Sequence, residues 1–392
     1  MMADTTLNQN NQYICSQSKN RDTKFRIDLL DMKTDVKLSS LTGQVISGSI
    51  TFNGINNSNM SQRSGELTLL LEKDLSTEYF KISLRNKVQI FAIIKDNITE
   101  IEATYNLGYF IMVSPTIKRS SKEQALTVKL YDMFSLWDGT FGGSLPAKVT
   151  ISTNRTISQV IRDTVADPLL MNMTKTLIEN NTWIPTKDVE VQADSTVKDL
   201  LQAILDLTPN YTMYVDFNGY FRYERIKNNK NNGDLPIQEF NQSEMITSLT
   251  VENKDENIRN SVTVWGMVAS ATSTESAYQV TASKVIDDNS PLSIQKIGRH
   301  HITISEEKIQ DTDTANDRCD YELSKHNNSA QILTLEILPD FRLLPDYVIK
   351  FSYEDDVINK INGRYQIDSV NINLSALGLM SVQAHKLYND LA

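Results

Sequence analysis

The chain is 392 residues long, 40% apolar and 22% charged, with a formal net charge of −10. That length is too great for one ordinary core and predicts two to four domains, and the composition is that of a folded protein. The acidic balance argues against a nucleic-acid-binding surface, which needs a basic footprint, and no run approaches about 18 apolar residues, so no membrane span is expected.

The N-terminal segment MMADTTLNQNNQYICSQSKN has neither the basic start nor the apolar run of a secretory signal. It is expected to be a flexible arm over 1–22. Two cysteines, Cys15 and Cys319, give no disulfide framework and fit folding in a reducing cytoplasm. Residues 23–143 read as almost entirely β. Phe25, Ile27 and Leu29 alternate with Lys24, Arg26 and Asp28. Val45 to Leu71 reads as two strands and a loop. Ile46, Ile50 and Phe52 share one face with Gly48, while Ser47, Ser49 and Thr51 share the other. In the second strand Leu67, Leu69 and Leu71 alternate with Glu66 and Thr68. The loop Asn53–Arg63 is polar apart from Ile55 and Met60. Val88–Ile94, Tyr109–Val113 and Leu126–Tyr131 continue the series, and short strands with turn punctuation indicate a sandwich or barrel.

Residues 144–240 change texture to an α+β unit. Thr156-Ile157-Ser158-Gln159 has the form of a capping box, and Ile157, Val160, Ile161 and Val165 make a helical stripe. A second helix is predicted from near Ser195, with Val197, Leu200, Leu201, Ile204 and Leu205 on one face. Tyr211–Asp216 and Tyr220–Arg225 flank Asn218-Gly219, a pair that suits a type I′ turn. The polar stretch Lys227–Asp234 is the best boundary. Strands return over 241–270 and 331–392. Between them, 271–330 reads as an inserted strand and helix segment. Residues 268–298 form a Ser/Thr/Asp-rich excursion, and a helix over 312–326 spaces Ala315, Cys319 and Leu323 by four.

Candidates for chemistry are few. His300 and His301 are adjacent in an expected strand and point to opposite faces, and His326 and His385 stand alone. Asp355-Asp356 and Asp311/Asp313 are sequence-local pairs that fit solvated turns better than the set separations of glycosidase carboxylates. Gly142-Gly143 lacks the Lys-Ser/Thr pair of a phosphate-binding loop. No catalytic, cofactor-binding or metal-ligating residue is therefore assigned, and no cofactor is expected. Trp137, Trp183 and Trp265 sit near expected domain edges, where they fit core packing or burial between subunits.

Several local patterns together resemble a known family. Ile46-Ser47-Gly48-Ser49-Ile50 and Arg63-Ser64-Gly65-Glu66-Leu67-Thr68-Leu69 resemble the N-terminal hairpin of phage tail hub proteins. Leu107-Gly108-Tyr109-Phe110 with Pro115, Leu126 to Asp132, the run Val197–Leu205 with Tyr211–Phe221, and Asn260-Ser261-Val262-Thr263-Val264-Trp265-Gly266 follow in the family's order. Leu343-Leu344-Pro345-Asp346-Tyr347-Val348 resembles its "LxPGDxV" turn, but without the Gly before Asp.

The chain thus resembles baseplate hub proteins of tailed phages and contractile tail-like particles over about residues 25 to 388. The resemblance implies a mainly β fold with α+β insertions: two tube-like β-barrel domains plus smaller α+β domains. It implies a non-enzymatic structural hub, a homotrimer that adapts a six-fold tail tube to a three-fold central spike around a channel. Its partners would be itself, the central spike protein, the tail tube or distal tail ring protein and the tape measure protein, with DNA only in transit. Its location would be the virion tail baseplate, after assembly in the host bacterial cytoplasm. A tail-tip adhesin and a tail-associated peptidoglycan hydrolase are the alternatives. Under the hub reading, Ser47, Ser49, Thr51, Asn53, Met60, Arg63, Glu66 and Thr68 are the candidate subunit and channel interface, and shortening the 53–63 loop is expected to impair ring assembly while leaving the fold intact.

Overall fold

Alternation of apolar and polar residues builds strands as the main regular element of the chain. The computed structural model describes residues 2–42, 45–55, 60–70, 85–119, 124–185, 187–226, 236–241, 245–266, 280–306, 309–327, 331–354 and 361–387. The expected linker 227–234, the pair Asp355-Asp356 and much of the 268–298 excursion (through residue 279) lie outside the described residues.

A helix, α1 (Met2–Gln17), precedes seven strands. These are β1 (Arg21–Leu30), β2 (Lys37–Thr42), β3 (Val45–Asn53), β4 (Arg63–Leu70), β5 (Arg85–Asp96), β6 (Glu102–Arg119) and β7 (Gln124–Tyr131). They pair antiparallel in the order β2-β1-β5-β6-β7-β4-β3. The period of two places Phe25, Ile27, Ile50, Phe52, Leu67 and Leu69 in the core as the alternation predicts. Ile46 is the exception, at 38% exposed, because the β3–β4 register shifts between Val45 and Ser47. Such a bulge re-aims the side chains around it.

The expected flexible arm over 1–22 differs from the structure. Its C-terminal part is docked helix: Cys15 and Ser16 are fully buried. The reason is specific polar anchoring, which the arm's weak apolar pattern does not announce. The Gln12 side chain donates to the Thr104 carbonyl (2.7 Å) and the Tyr105 hydroxyl donates to the Gln12 carbonyl (2.6 Å). Arg21 donates to the carbonyls of Cys15 and Ser16, occupying acceptors that a helix C-terminus leaves open.

The middle unit comprises β8 (Val149–Ile151), α2 (Ile157–Ala166), β9 (Thr176–Ile178), β10 (Val189–Val191), α3 (Val197–Leu207), β11 (Tyr211–Val215) and β12 (Phe221–Arg225). The predicted capping box closes α2: Thr156 accepts from the Gln159 amide and Gln159 accepts from the Thr156 amide. A second box, Thr196 with Asp199, starts α3. The β11–β12 connection is not the expected type I′ turn. Gly219 alone has positive φ (80°), Asn218 does not, and the loop is instead folded around Asp216, whose carboxylate accepts from the Asn218 and Tyr220 amides. This unit's core includes Tyr109, Ile111 and Val113 of β6, so it is continuous with the first strands and not separated from them.

The remainder contains β13 (Gln238–Asn241), β14 (Ile246–Asn253), β15 (Ser261–Gly266), β16 (Val280–Val285), α4 (Ile294–Ile297), β17 (His301–Ser305), α5 (Thr312–Asn327), β18 (Gln331–Ile337), β19 (Val348–Tyr353), β20 (Ile361–Asn373) and β21 (Met380–Lys386). β16, β15 and β17 form a small sheet covered on one face by α5, with Val262, Val264, Ala282, Ala315, Cys319 and Leu323 between them. Asp311 caps α5 by accepting from the Thr314 amide (2.8 Å), which gives that carboxylate a structural role.

The two outer β regions are one sheet. β20 pairs with β19 along its first half and with β3 along its second, so residues 369–373 lie against residues 49–53. The resulting path runs β14-β18-β21-β20-β3-β4-β7-β6-β5-β1-β2, with β13 and β19 branching from β20, thirteen strands in all. One apolar core serves both halves, from Phe25 and Ile27 to Leu335, Ile367 and Val382. The fold is mainly β with small helical insertions.

Candidate functional site

Buried charged groups gather at the junction where β3, β4 and β20 meet the β11–β12 hairpin. Arg63 opens β4 and is buried, as is Asp132 at the end of β7. The Arg63 Nε lies 3.6 Å from the Asp132 carboxylate, and Nη2 donates to the Val215 carbonyl of the middle unit. The guanidinium stacks on Phe217, 4.9 Å from the ring centroid. Burial pushes the Asp132 carboxyl up and the Arg63 guanidinium down, and the pair's mutual attraction opposes both effects. Gly108 makes room for this: its φ is 103°, and a Cβ there would lie 2.3 Å from Arg63 Nη1.

Two further ties fix the middle unit to the first strands. Asn106 donates to the Phe217 carbonyl (2.8 Å) and the Asn218 side chain (3.1 Å). Asp35, in the β1–β2 turn, pairs with Lys87 of β5 and with Lys175 of the middle unit (2.7 Å), and both ammonium groups lie 5.5 Å from the Tyr109 ring centroid.

On the other side stands the turn Leu344–Tyr347. The Tyr347 amide donates to the Leu344 carbonyl, Pro345 occupies the second position, and Asp346 has φ 67° in the third. Asp346 therefore fills the position that a type II turn normally gives to Gly, which is how the chain accommodates the motif's missing glycine. Its carboxyl accepts from the Ile55 amide of the β3–β4 loop (3.2 Å), and Gly54 donates to the Asp368 carbonyl (2.7 Å). Asp368 is the bulged residue where β20 changes partner from β19 to β3, and it lies 2.6 Å from His385 Nδ1. Burial is the main cause that raises Asp346 to about 6, and the neighbouring Asp368 charge adds to it. A cleft of about 370 Å³ opens between these parts, with Arg63, Phe217, Arg222 and Asp346 in its wall. Among the described residues no three His, Cys, Asp or Glu side chains group so as to hold a metal ion.

The eight residues proposed for an interface divide. Met60 and Arg63 are buried within the chain, each 3% exposed. The polar composition of the loop that holds them suggests exposure, but its two ends are tied inward. Ser47 and Glu66 are exposed, and Ser49, Thr51, Asn53 and Thr68 are half-buried along β3 and β4. Residues 56–59 lie outside the described residues, and the 53–63 loop on either side of them is anchored at Gly54, Ile55, Met60 and Arg63. Sequence reasoning missed Asp132, Asn106 and Asp346 as junction residues. The missing glycine before Asp346 was the one available signal.

This branched sheet with a helical middle unit is the fold of phage tail proteins. The 43 kDa tail protein of prophage MuSo2 from Shewanella oneidensis is similar with a TM-score of 0.58 and 13% identity, covering 94% of this chain and 99% of that one. A tail protein of Neisseria meningitidis MC58 gives 0.62 and 10%, covering 94% and 99%. The prophage tail protein gp18 of Listeria monocytogenes EGD-e gives 0.55 and 11%, covering 94% and 95%. No family model and no curated protein matches the sequence.

Proposed function

We propose that the chain is a non-enzymatic hub subunit of a phage or phage-like tail baseplate, a homotrimer around a channel between the tail tube and the central spike. One observation carries this: in the fold of tail proteins, residues from both ends of the chain make a single sheet whose path ends in two open strands, β2 and β14, among the described residues. An open edge is a template for pairing with another chain. Unlike edges at opposite ends of one sheet fit head-to-tail contact, which closes into a ring when the rotation allows. Exposed Val36 (59%) and Leu38 (48%) beside the β2 edge favour a partner there.

With two β-rich halves per subunit, three subunits present six similar units to a six-fold tube and three copies to a spike. The tape measure protein and DNA in transit would meet the channel side. The ties at Arg63, Asn106 and Asp35 suit this role, since an adapter that transmits force needs fixed unit orientations. Light scattering after size-exclusion chromatography tests the reading. A concentration-stable trimer is expected, reduced to monomer by Leu38→Glu with an unchanged circular dichroism spectrum. A wild-type monomer that binds neither purified spike nor tube subunits overturns it.

A further inference from the structure

The small β15–β16–β17 sheet has one face covered by α5 and one face open. Register places nine side chains on the face away from α5 as three cross-strand rows: Thr281, Trp265 and Ser305; then Ser283, Thr263 and Thr303; then Val285, Ser261 and His301, of which Ser261 is buried. The face spans about 10 Å across the strands and about 14 Å along them. Trp265 is 37% exposed and makes no ring or cation contact with another described residue, in contrast to buried Trp137. Its row and the next carry short hydroxyl side chains. Thr263 and Ser283 are bonded to one another (2.9 Å), and His301 lies within hydrogen-bond distance of Ser261 (2.9 Å) and Thr303 (3.1 Å).

Charge and shape narrow what such a face can hold. None of the nine side chains is a carboxylate, an ammonium or a guanidinium; among the described residues Arg299 approaches them at the Ser261 end, 3.3 Å from that hydroxyl. A phosphate-bearing polymer needs cations, so nucleic acid does not fit. A protein interface needs an apolar centre, and the only other apolar side chain, Val285, sits in the corner diagonal to the Trp265 row. An isolated indole on a flat, uncharged, hydroxyl-rich surface complements a ligand that is itself uncharged, flat and amphipathic. A pyranose ring fits: its C–H face meets the negative face of the indole, and its hydroxyls exchange hydrogen bonds with Ser, Thr and His.

We infer that the open face of this sheet binds a neutral saccharide, with Trp265 as the stacking platform and Ser283, Thr303 and His301 as the polar contacts. The site stands apart from the junction around Arg63 and does not rest on the hub reading, so either can fail without the other. The full chain is titrated separately with cellotetraose, maltotetraose and chitotetraose at millimolar concentrations, following acrylamide quenching of tryptophan emission. Trp137 is buried and Trp183 half-buried, which leaves Trp265 the most accessible indole. At least one probe should protect the emission, with Trp265→Ala weakening binding at least about tenfold and Trp265→Phe weakening it less. Because the alanine variant removes the reporter, its affinity is read by calorimetry. Should it fold poorly, Ser283→Val with Thr303→Val, which keeps the indole, should lower affinity severalfold. Protection by none of the three probes overturns the inference, as does equal binding by the folded variants.

Discussion

Asp346→Asn should stabilise the protein at neutral pH and not at acid pH. Asp346 lies in the left-handed region, which Asn tolerates at least as well, and the Asn amide oxygen can still accept from Ile55. What the substitution removes is a carboxyl raised from an ordinary 3.8 to about 6 by burial and by Asp368. A folded-state value above the unfolded one means that the folded chain binds this proton more tightly. The group's favourable contribution is complete below about 4 and is lost as pH rises through about 6. A shift of two units corresponds to ~3 kcal/mol; since the residue keeps part of its surface in water, screening reduces this to ~2 kcal/mol. Urea unfolding followed by circular dichroism at pH 7.5 and pH 4 measures the difference. The variant should gain ~2 kcal/mol at the higher pH and close to nothing at the lower. An equal effect at both values, or destabilisation at pH 7.5, would refute the assignment of a strained carboxyl to this turn.

Arg63→Ala leaves Asp132 buried without its cation and frees the Val215 carbonyl, and should cost about 3 kcal/mol or more in chemical denaturation. Adding Asp132→Asn should recover part of that loss, and additive costs would show that the two do not act as a pair. Gly108→Ala meets both a positive φ and the Arg63 guanidinium, and should lower stability by ~2 kcal/mol or more by the same assay. Both cysteines are buried, and burial pushes their thiols above the ordinary value. Neither should react with a thiol reagent at pH 8 in the native protein, and both should react once it is unfolded in guanidinium. Prompt native labelling would contradict the docking of α1 or the packing of α5.

The sequence by itself determined what is local. Alternation assigned the buried faces of β1, β3 and β4, because a strand's side chains repeat every two residues whatever lies alongside. Thr156 with Gln159 located the start of α2, and the four-residue spacing of Ala315, Cys319 and Leu323 placed α5. Both are set within a turn or two of chain. The order of hub-like motifs also carried the tail-protein fold that the solved structures share. Only the tertiary structure decided the rest. Alternation says that Ile50 is buried, but it does not say that its cross-strand partner is Ile372, more than three hundred residues away. The inward position of Arg63, in a loop of polar composition, depends on Asp132, Val215 and Gly108, none of which is its neighbour in sequence. The docked α1 and the Asp346 turn likewise depend on partners from distant segments. Periodicity reports which face seeks cover, and long-range pairing decides what covers it.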